Sequence, residues 1–243
     1  MPSEELRSRR ELLRHRLNLV RTRTEVKNRI HSLLDKHGMR IPGTTPFSNG
    51  NIAWLQERSL GFMDDAILQS DLALLETVNK QVEVIEEKIA VLVAEERQAR
   101  LLMTMTGVGY FTAMLILSEV GDIDRFRSDK AFASWMGLAP SVHRSGERIR
   151  IGSVSRPGNK RIRWASVECA QAAVRYDPRF RGLYERVSRR RGAGCAVVAV
   201  AHEMARIMYF MLSRNEPYCD ADMGLVERKL KSMSKKAYYG LRN

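Results

Sequence analysis

Apolar residues recur at three- and four-residue intervals through most of the chain, the period of helices packed on one side. Over residues 4–37, Leu13, Leu17, Val20 and Ile30 mark one such helix, and the Gly, Pro, Thr and Ser cluster from Gly38 to Gly50 ends it. From Asp71 to about Leu102 the series Leu72, Leu75, Val78, Val82, Ile85, Ile89 and Leu92 alternates with Glu76, Lys80, Glu83, Glu86, Glu87 and Lys88. That spacing predicts a coiled-coil seam, closed either within the chain or, as the favoured reading, by a second copy. The uncharged run Leu101 to Ser118 is interrupted by Gly107 and Gly109 and followed at once by Glu119, Asp122, Asp124 and Arg125. It predicts two short buried helices joined by a glycine turn rather than a membrane span. Ala193 to Ser213, dense in Ala, Val, Met and Ile, predicts a helix buried on most sides. The period changes to two only after Pro140, where Ile149 and Ile151 alternate with Arg148 and Arg150 beyond Ser145-Gly146, the pattern of a short hairpin. The expected fold is therefore mainly α, with a basic amino-terminal helix, a coiled-coil segment and a helical domain holding one β-hairpin.

Charge refines this picture by its position. The chain of 243 residues carries a formal net charge of +13 and a pI near 10.0. Residues 1–139 hold 19 Lys/Arg against 19 Asp/Glu, whereas residues 140–243 hold 22 against 9, so the excess lies entirely in the second part. An anionic partner, above all nucleic acid, is expected there. The first helix shows Arg7, Arg9, Arg10, Arg14, Arg16, Arg21, Arg23, Lys27 and Arg29, which either track a phosphate backbone or form a solvated face with salt partners. The stretch from Asp220 onward, with Arg228, Lys229, Lys231, Lys235 and Lys236, reads as a frayed basic tail or an extra phosphate contact. Cys169, Cys195 and Cys219 lack metal-ligand spacing and read as incidental thiols of a reducing cytoplasm, and the charged start of the chain is no signal peptide.

Three segments carry candidate chemistry. Gly107-Val108-Gly109, with Ala113 four residues on, has the form of a helix-hairpin-helix turn. Glycines there permit positive φ, their missing side chains clear room for a phosphate, and the next helix offers unpaired N–H groups; packing between helices explains the same glycines. A dinucleotide-binding turn is excluded, because no strand precedes it and the third glycine is absent. In the hairpin, Ser145 stands among Arg144, Arg148 and Arg150. A hydroxyl so placed can attack a phosphodiester while guanidinium groups stabilise the developing charge. Ser-Gly is equally an ordinary turn pair, and His143 is either a base or a surface group. Finally, Asn159 after Pro157-Gly158 suits a helix N-cap, which puts Lys160, Arg161 and Arg163 at the start of the helix. Cations there oppose the helix dipole unless an anion is bound.

Taken in order, Gly107-Val108-Gly109, Glu119-Val120-Gly121-Asp122-Ile123 with Arg125-Phe126, Gly137-Leu138-Ala139-Pro140, Ser145-Gly146 and Pro157-Gly158-Asn159 with Arg163 resemble the transposase domain of the insertion-sequence-110 family. Asp177-Pro178, Tyr184 and the Ala199–Ala205 segment extend the resemblance, which runs from the first helix to about Tyr218. It implies a DNA recombinase with a serine nucleophile in the Ser-Gly motif, carried here onto Ser145 with Ser141, Ser153 and Ser155 as close competitors. It also implies a bridge RNA as guide, and magnesium at the acidic cluster of a RuvC-like domain expected upstream of Met1. No cofactor is expected in this chain, since Asp64-Asp65, Glu119, Asp122 and Asp124 read as helix ends and caps. Thr106 stands where the family usually has proline.

The expected organisation is a basic helix over 1–40, loop and coiled coil over 41–100, a DNA-binding transposase domain over 101–218 and a basic tail over 219–243. DNA through Gly107, Gly109, Arg144, Arg148, Arg150, Lys160, Arg161 and Arg163, a guide RNA, and a second copy through the coiled coil are the expected partners, without a membrane. Two other classes compete: a truncated remnant that binds DNA or RNA without cutting, and a repair or ribosome-associated helix-hairpin-helix protein.

Overall fold

The structure, a computed structural model, describes residues 3–145, 148–154 and 159–242, with side chains described outside 140–158. The chain is mainly helical and divides into two compact units, residues 11–86 and residues 1–10 with 87–243. Helices α1 (Glu4–Lys36) and α3 (Phe62–Glu95) contribute to both; α2 (Asn49–Gln56) lies in the first.

In the unit of residues 11–86, Val26, Ile30, Leu33 and Leu34 of α1, Leu55 of α2 and Leu68, Leu72 and Leu75 of α3 form one buried cluster. Each such side chain contributes about 1.5–3 kcal/mol by leaving water. Val78 and Val82 are buried as well. At the start of the predicted seam, Leu72 and Leu75 thus pack on helices of the same chain, as in the intramolecular of the two readings. Ion pairs reinforce that packing, with Arg16 on Glu86 at 2.5 Å and Arg29 on Asp71 at 2.6 Å. Helix α1 ends where Gly38, at φ 66°, lets the Met39 amide reach Leu34 O at 3.0 Å and its own amide reach Asp35 O at 3.1 Å. Helix α3 starts nine residues before the predicted seam. Asp65 fastens its first turn, accepting from the Leu60 amide at 2.6 Å and the Ser59 hydroxyl at 3.0 Å.

The second unit is built around α5 (Tyr110–Val120), which is buried on nearly every side from Phe111 to Val120. Helix α4 (Arg97–Met103) leads into it, and α6 (Asp129–Trp135), α7 (Lys160–Tyr176), α8 (Pro178–Arg214) and α9 (Met223–Gly240) complete the unit. Helix α7 packs along α8 and against α5, while α6 and α4 pack on α8. Among the described residues α8 is the one helix long and apolar enough to cross a membrane. Its face of Ala196, Val200, Ala201, Met204, Ala205, Met208, Met211 and Leu212 is buried within the unit, as expected of a core helix. Gly192, at φ 81° and ψ 166°, breaks α8 where the basic run ends and the apolar run begins.

The carboxy-terminal stretch is a correction. Rather than fraying, it forms α9, capped by Asp222 accepting from the Leu225 amide at 3.0 Å, with Val226, Met233, Ala237 and Gly240 buried.

Candidate nucleic-acid interface

Between α4 and α5 the chain turns over Thr104–Gly109, and the two glycines there have different tasks. Gly107, at φ 86°, faces α7 so closely that a Cβ would lie 2.3 Å from Cys169 O and 3.0 Å from Ala173 N. The room left by its missing side chain is taken by a helix, which corrects the expectation that a phosphate approaches there. Gly109 is the N-cap of α5 and has nothing within 4 Å of its absent Cβ. Beside it lies a cleft of about 310 Å³ lined by Met103, Gly109, Tyr110, Arg228, Lys229 and Ser232. Sequence reasoning could not join the tail to this turn. Lys229 donates to Met103 O and Met105 O, both at 2.8 Å, and burial pushes its ammonium down to about 8. Nearby, burial pushes the Cys169 thiol up to about 12, so it is an inert core group.

The next turn leads to the hairpin. Helix α6 ends on Gly137 at φ 74°, whose amide meets Ser134 O at 2.9 Å while the Leu138 amide meets Ala133 O at 3.1 Å. A Cβ on Gly137 would fall 2.9 Å from Arg163 Nε, so the Arg163 guanidinium lies against this turn. Strands β1 (Pro140–Ser145) and β2 (Arg148–Val154) then pair antiparallel, with an irregularity between Pro140 and Val142. Their register sets Ser145 opposite Arg148, Arg144 opposite Ile149 and His143 opposite Arg150. Gly146-Glu147, which include part of the expected Ser145-Gly146 tip, and Ser155–Gly158, which include the expected Pro157-Gly158 turn, lie outside the described residues. So do the expectations placed on the side chains of Ser145, Arg144, Arg148 and Arg150.

Asn159 caps α7, its Oδ1 accepting from the Arg161 amide at 3.0 Å, and no acidic residue stands in the first turn. Lys160 and Arg161 are exposed, whereas Arg163 is partly covered by the Gly137 turn. Farther on, Arg175, Arg186, Arg189, Arg190 and Arg191 are also exposed and pair with no carboxylate among the described residues. The amino-terminal helix behaves differently: Arg9 meets Glu5 and Glu96, Arg16 meets Glu86, Arg21 meets Glu25 and Arg29 meets Asp71. Of the two readings offered for that helix, these residues follow the salt-partnered one.

Helix α8 is anchored through Asp177. Its Oδ1 caps the Arg179 amide at 2.9 Å and its Oδ2 accepts from the buried Tyr218 hydroxyl at 3.0 Å. Burial and the adjacent carboxylate raise the phenol above its ordinary value. Among the described residues no group of three or more His, Cys, Asp or Glu could hold a metal ion. The carboxylates noted in sequence are spent singly: Asp64 on His37 at 2.7 Å, Asp65 on the α3 cap, Asp122 on the Asp124 amide at 2.9 Å and Glu119 near Arg10.

Residues 99–185 match the profile of the family described as "Transposase IS116/IS110/IS902 family". The chain is 29% identical over 214 residues to a Pseudomonas aeruginosa protein named "Probable family 20 transposase", covering 84% of this chain and 63% of that one. It is 27% identical over 215 residues to "Transposase for insertion sequence element IS1111A" of Coxiella burnetii, covering 85% and 59%. Over 125 residues it is 31% identical to the "Pilin gene-inverting protein" of Moraxella bovis, covering 50% and 38%. The chain thus spans less than two thirds of the length of each of these relatives.

Proposed function

We propose, from the match of residues 99–185 to the IS116/IS110/IS902 transposase family, that this chain is the DNA-handling part of an insertion-sequence transposase. The observation that carries the proposal is the set of exposed cations, Lys160 and Arg161 opening α7 and Arg175, Arg186, Arg189, Arg190 and Arg191 continuing into α8, that meet no carboxylate among the described residues and that a phosphate backbone would neutralise. The α4–α5 turn acts as a helix-hairpin-helix, presenting the open Gly109 end of α5 and the Arg228 side of α9 to one phosphate.

Ser145 is the proposed nucleophile. Its Oγ forms the new bond to phosphorus, its proton passes to a neighbouring base and from there to the departing oxygen, and the broken P–O bond releases a deoxyribose hydroxyl. Arg148, its cross-strand partner, and Arg150, two positions further on, stabilise the charge on the pentavalent phosphorus, whereas the register pairs Arg144 with Ile149 in the alternate set of positions. Among the described residues no group of three or more His, Cys, Asp or Glu comes together, and no step here is routed through a metal; in this proposal magnesium belongs to a RuvC-like domain. A bridge RNA selects the DNA sites, and the work takes place in the cytoplasm, where the DNA is.

Two measurements test the proposal. Binding of duplex DNA should weaken with salt, and neutralising Lys160 and Arg161 together should lower the slope of log K against log salt by roughly 2. A suicide DNA substrate, with a RuvC-like domain added in trans, should yield a covalent protein–DNA adduct that Ser145→Ala abolishes and Ser141→Ala does not. An adduct formed by Ser145→Ala refutes the nucleophile; salt-sensitive binding with no adduct from the parent chain favours the remnant that binds without cutting.

A further inference from the structure

Helix α7 turns one stripe to solvent, running through Lys160 and Arg161, Trp164, Glu168, Gln171 and Arg175. Trp164 is the anomaly in it, with 46% of its surface exposed. Indoles are among the side chains that gain most from burial, and the other two tryptophans are engaged. Trp54 lies under the Arg58 guanidinium at 4.6 Å, and Trp135 lies under Arg125 at 4.8 Å and beside Phe126 at 5.2 Å. Trp164 has no ring or cation partner among the described residues. Lys160 and Arg161, four and three positions earlier, share its face, and neither is compensated by a carboxylate among the described residues.

A flat apolar ring beside two free cations matches one chemistry closely. A nucleobase offers a π face to the ring, and the phosphates on either side of it meet the cations. A base inside a duplex already has both faces covered by its neighbours, so the ring can take only a base that has left the stack. Glu168, one turn further along, repels a phosphate there and directs the strand toward the Lys160 end of the helix. We propose that Trp164 is a stacking platform for an unpaired base of a DNA strand, with Lys160 and Arg161 holding the adjacent phosphates. This rests on the DNA-binding reading above and adds to it a preference for opened over paired DNA.

The test uses the full chain, a thymidine oligodeoxynucleotide of about 12 residues and a duplex of equal length. Trp164→Leu should weaken oligonucleotide binding by about 5- to 100-fold, the equivalent of one lost stack, with its salt slope and circular dichroism unchanged. Trp164→Phe should recover part of the loss, and duplex binding should change little. In a Trp54→Phe/Trp135→Phe background, the oligonucleotide should quench the remaining indole and the duplex should not. Unchanged oligonucleotide affinity in Trp164→Leu overturns the proposal, as does an equal loss on duplex, or altered sedimentation with DNA affinity intact. Should the parent chain show no salt-sensitive DNA binding at all, the DNA-binding reading fails with it, a result distinct from binding that is indifferent to Trp164.

Discussion

Replacing Gly107 by alanine tests the division of labour between the two glycines of the α4–α5 turn. At φ 86° an L-residue pays about 1–2 kcal/mol for the left-handed region. The new methyl would lie 2.3 Å from Cys169 O and 3.0 Å from Ala173 N. Both are backbone atoms inside α7 and cannot rotate away, so the helix must shift, at a further cost of about 1–3 kcal/mol for overpacking. The expected loss is about 2–5 kcal/mol in urea denaturation, a fall in Tm on the order of 10 °C for a chain of this size. Gly109→Ala is the control: φ there is −98° and nothing lies within 4 Å, so the loss should stay under about 1 kcal/mol. If the two variants unfold within about 1 kcal/mol of each other, Gly107 is not a packing glycine. The control also separates stability from function, because reduced DNA affinity in a fully stable Gly109→Ala protein could not be ascribed to loosened packing.

Two further predictions concern side chains that fasten the second unit. Lys229 titrates near 8 in the fold and near 10.5 when unfolded, so the folded chain holds fewer protons between those values and stability rises with pH across them, complete above 10.5 and lost as pH falls through 8. Comparing urea midpoints at pH 7 and pH 10, Lys229→Met should flatten that rise by about 1–2 kcal/mol, discounted for the water that reaches the amine; an unchanged pH profile would show that the amine is not desolvated. Tyr218→Phe keeps the stack on Phe180 at 6.0 Å but removes the hydroxyl that Asp177 accepts, and should cost about 1–3 kcal/mol. A loss below about 0.5 kcal/mol would mean that water replaces the phenol at the start of α8.

Local periodicity made several elements legible in advance: α1 and its glycine stop, the two helices around Gly107, the change to alternation after Pro140 and the Asn159 cap. Helix α9 was equally legible, since Val226, Leu230, Met233, Ala237 and Gly240 keep three- and four-residue spacing behind Asp222. Its lysines hid that pattern, because polar residues between buried positions resemble a solvated tail. The start of α3 was obscured for the opposite reason: Phe62, Met63 and Ile67 are apolar yet point outward, so the first two turns carry no one-sided pattern. What the sequence could not reveal was which surfaces meet. A glycine cleared for phosphate and one cleared for a neighbouring helix both exploit the absent Cβ, and only Cys169, more than sixty residues away, distinguishes them at position 107. The same limit applied to the seam on α3, whose spacing suits a helix of this chain as well as one from another copy.

Charge is subject to the same distinction between what is counted and what is met. The two parts of the chain hold similar numbers of cations, 19 and 22, and differ chiefly in carboxylates, 19 against 9. In the unit of residues 11–86, Arg16, Arg21 and Arg29 each meet one within 3 Å. Each such pair cancels the field that a distant phosphate would sense. Arg179 and Arg206 are likewise spent, on Glu203, Asp220 and Asp129. Among the described residues Lys160, Arg161, Arg175 and the run Arg189–Arg191 are not, so their potential extends over a Debye length, about 10 Å at 0.1 M salt. In the proposed reading, attraction for a polyanion therefore arises along α7 and α8 from a shortage of carboxylates more than from an abundance of arginine. That is why the amino-terminal helix, the most arginine-dense stretch of its unit, is a weaker candidate for the DNA surface than its composition suggests.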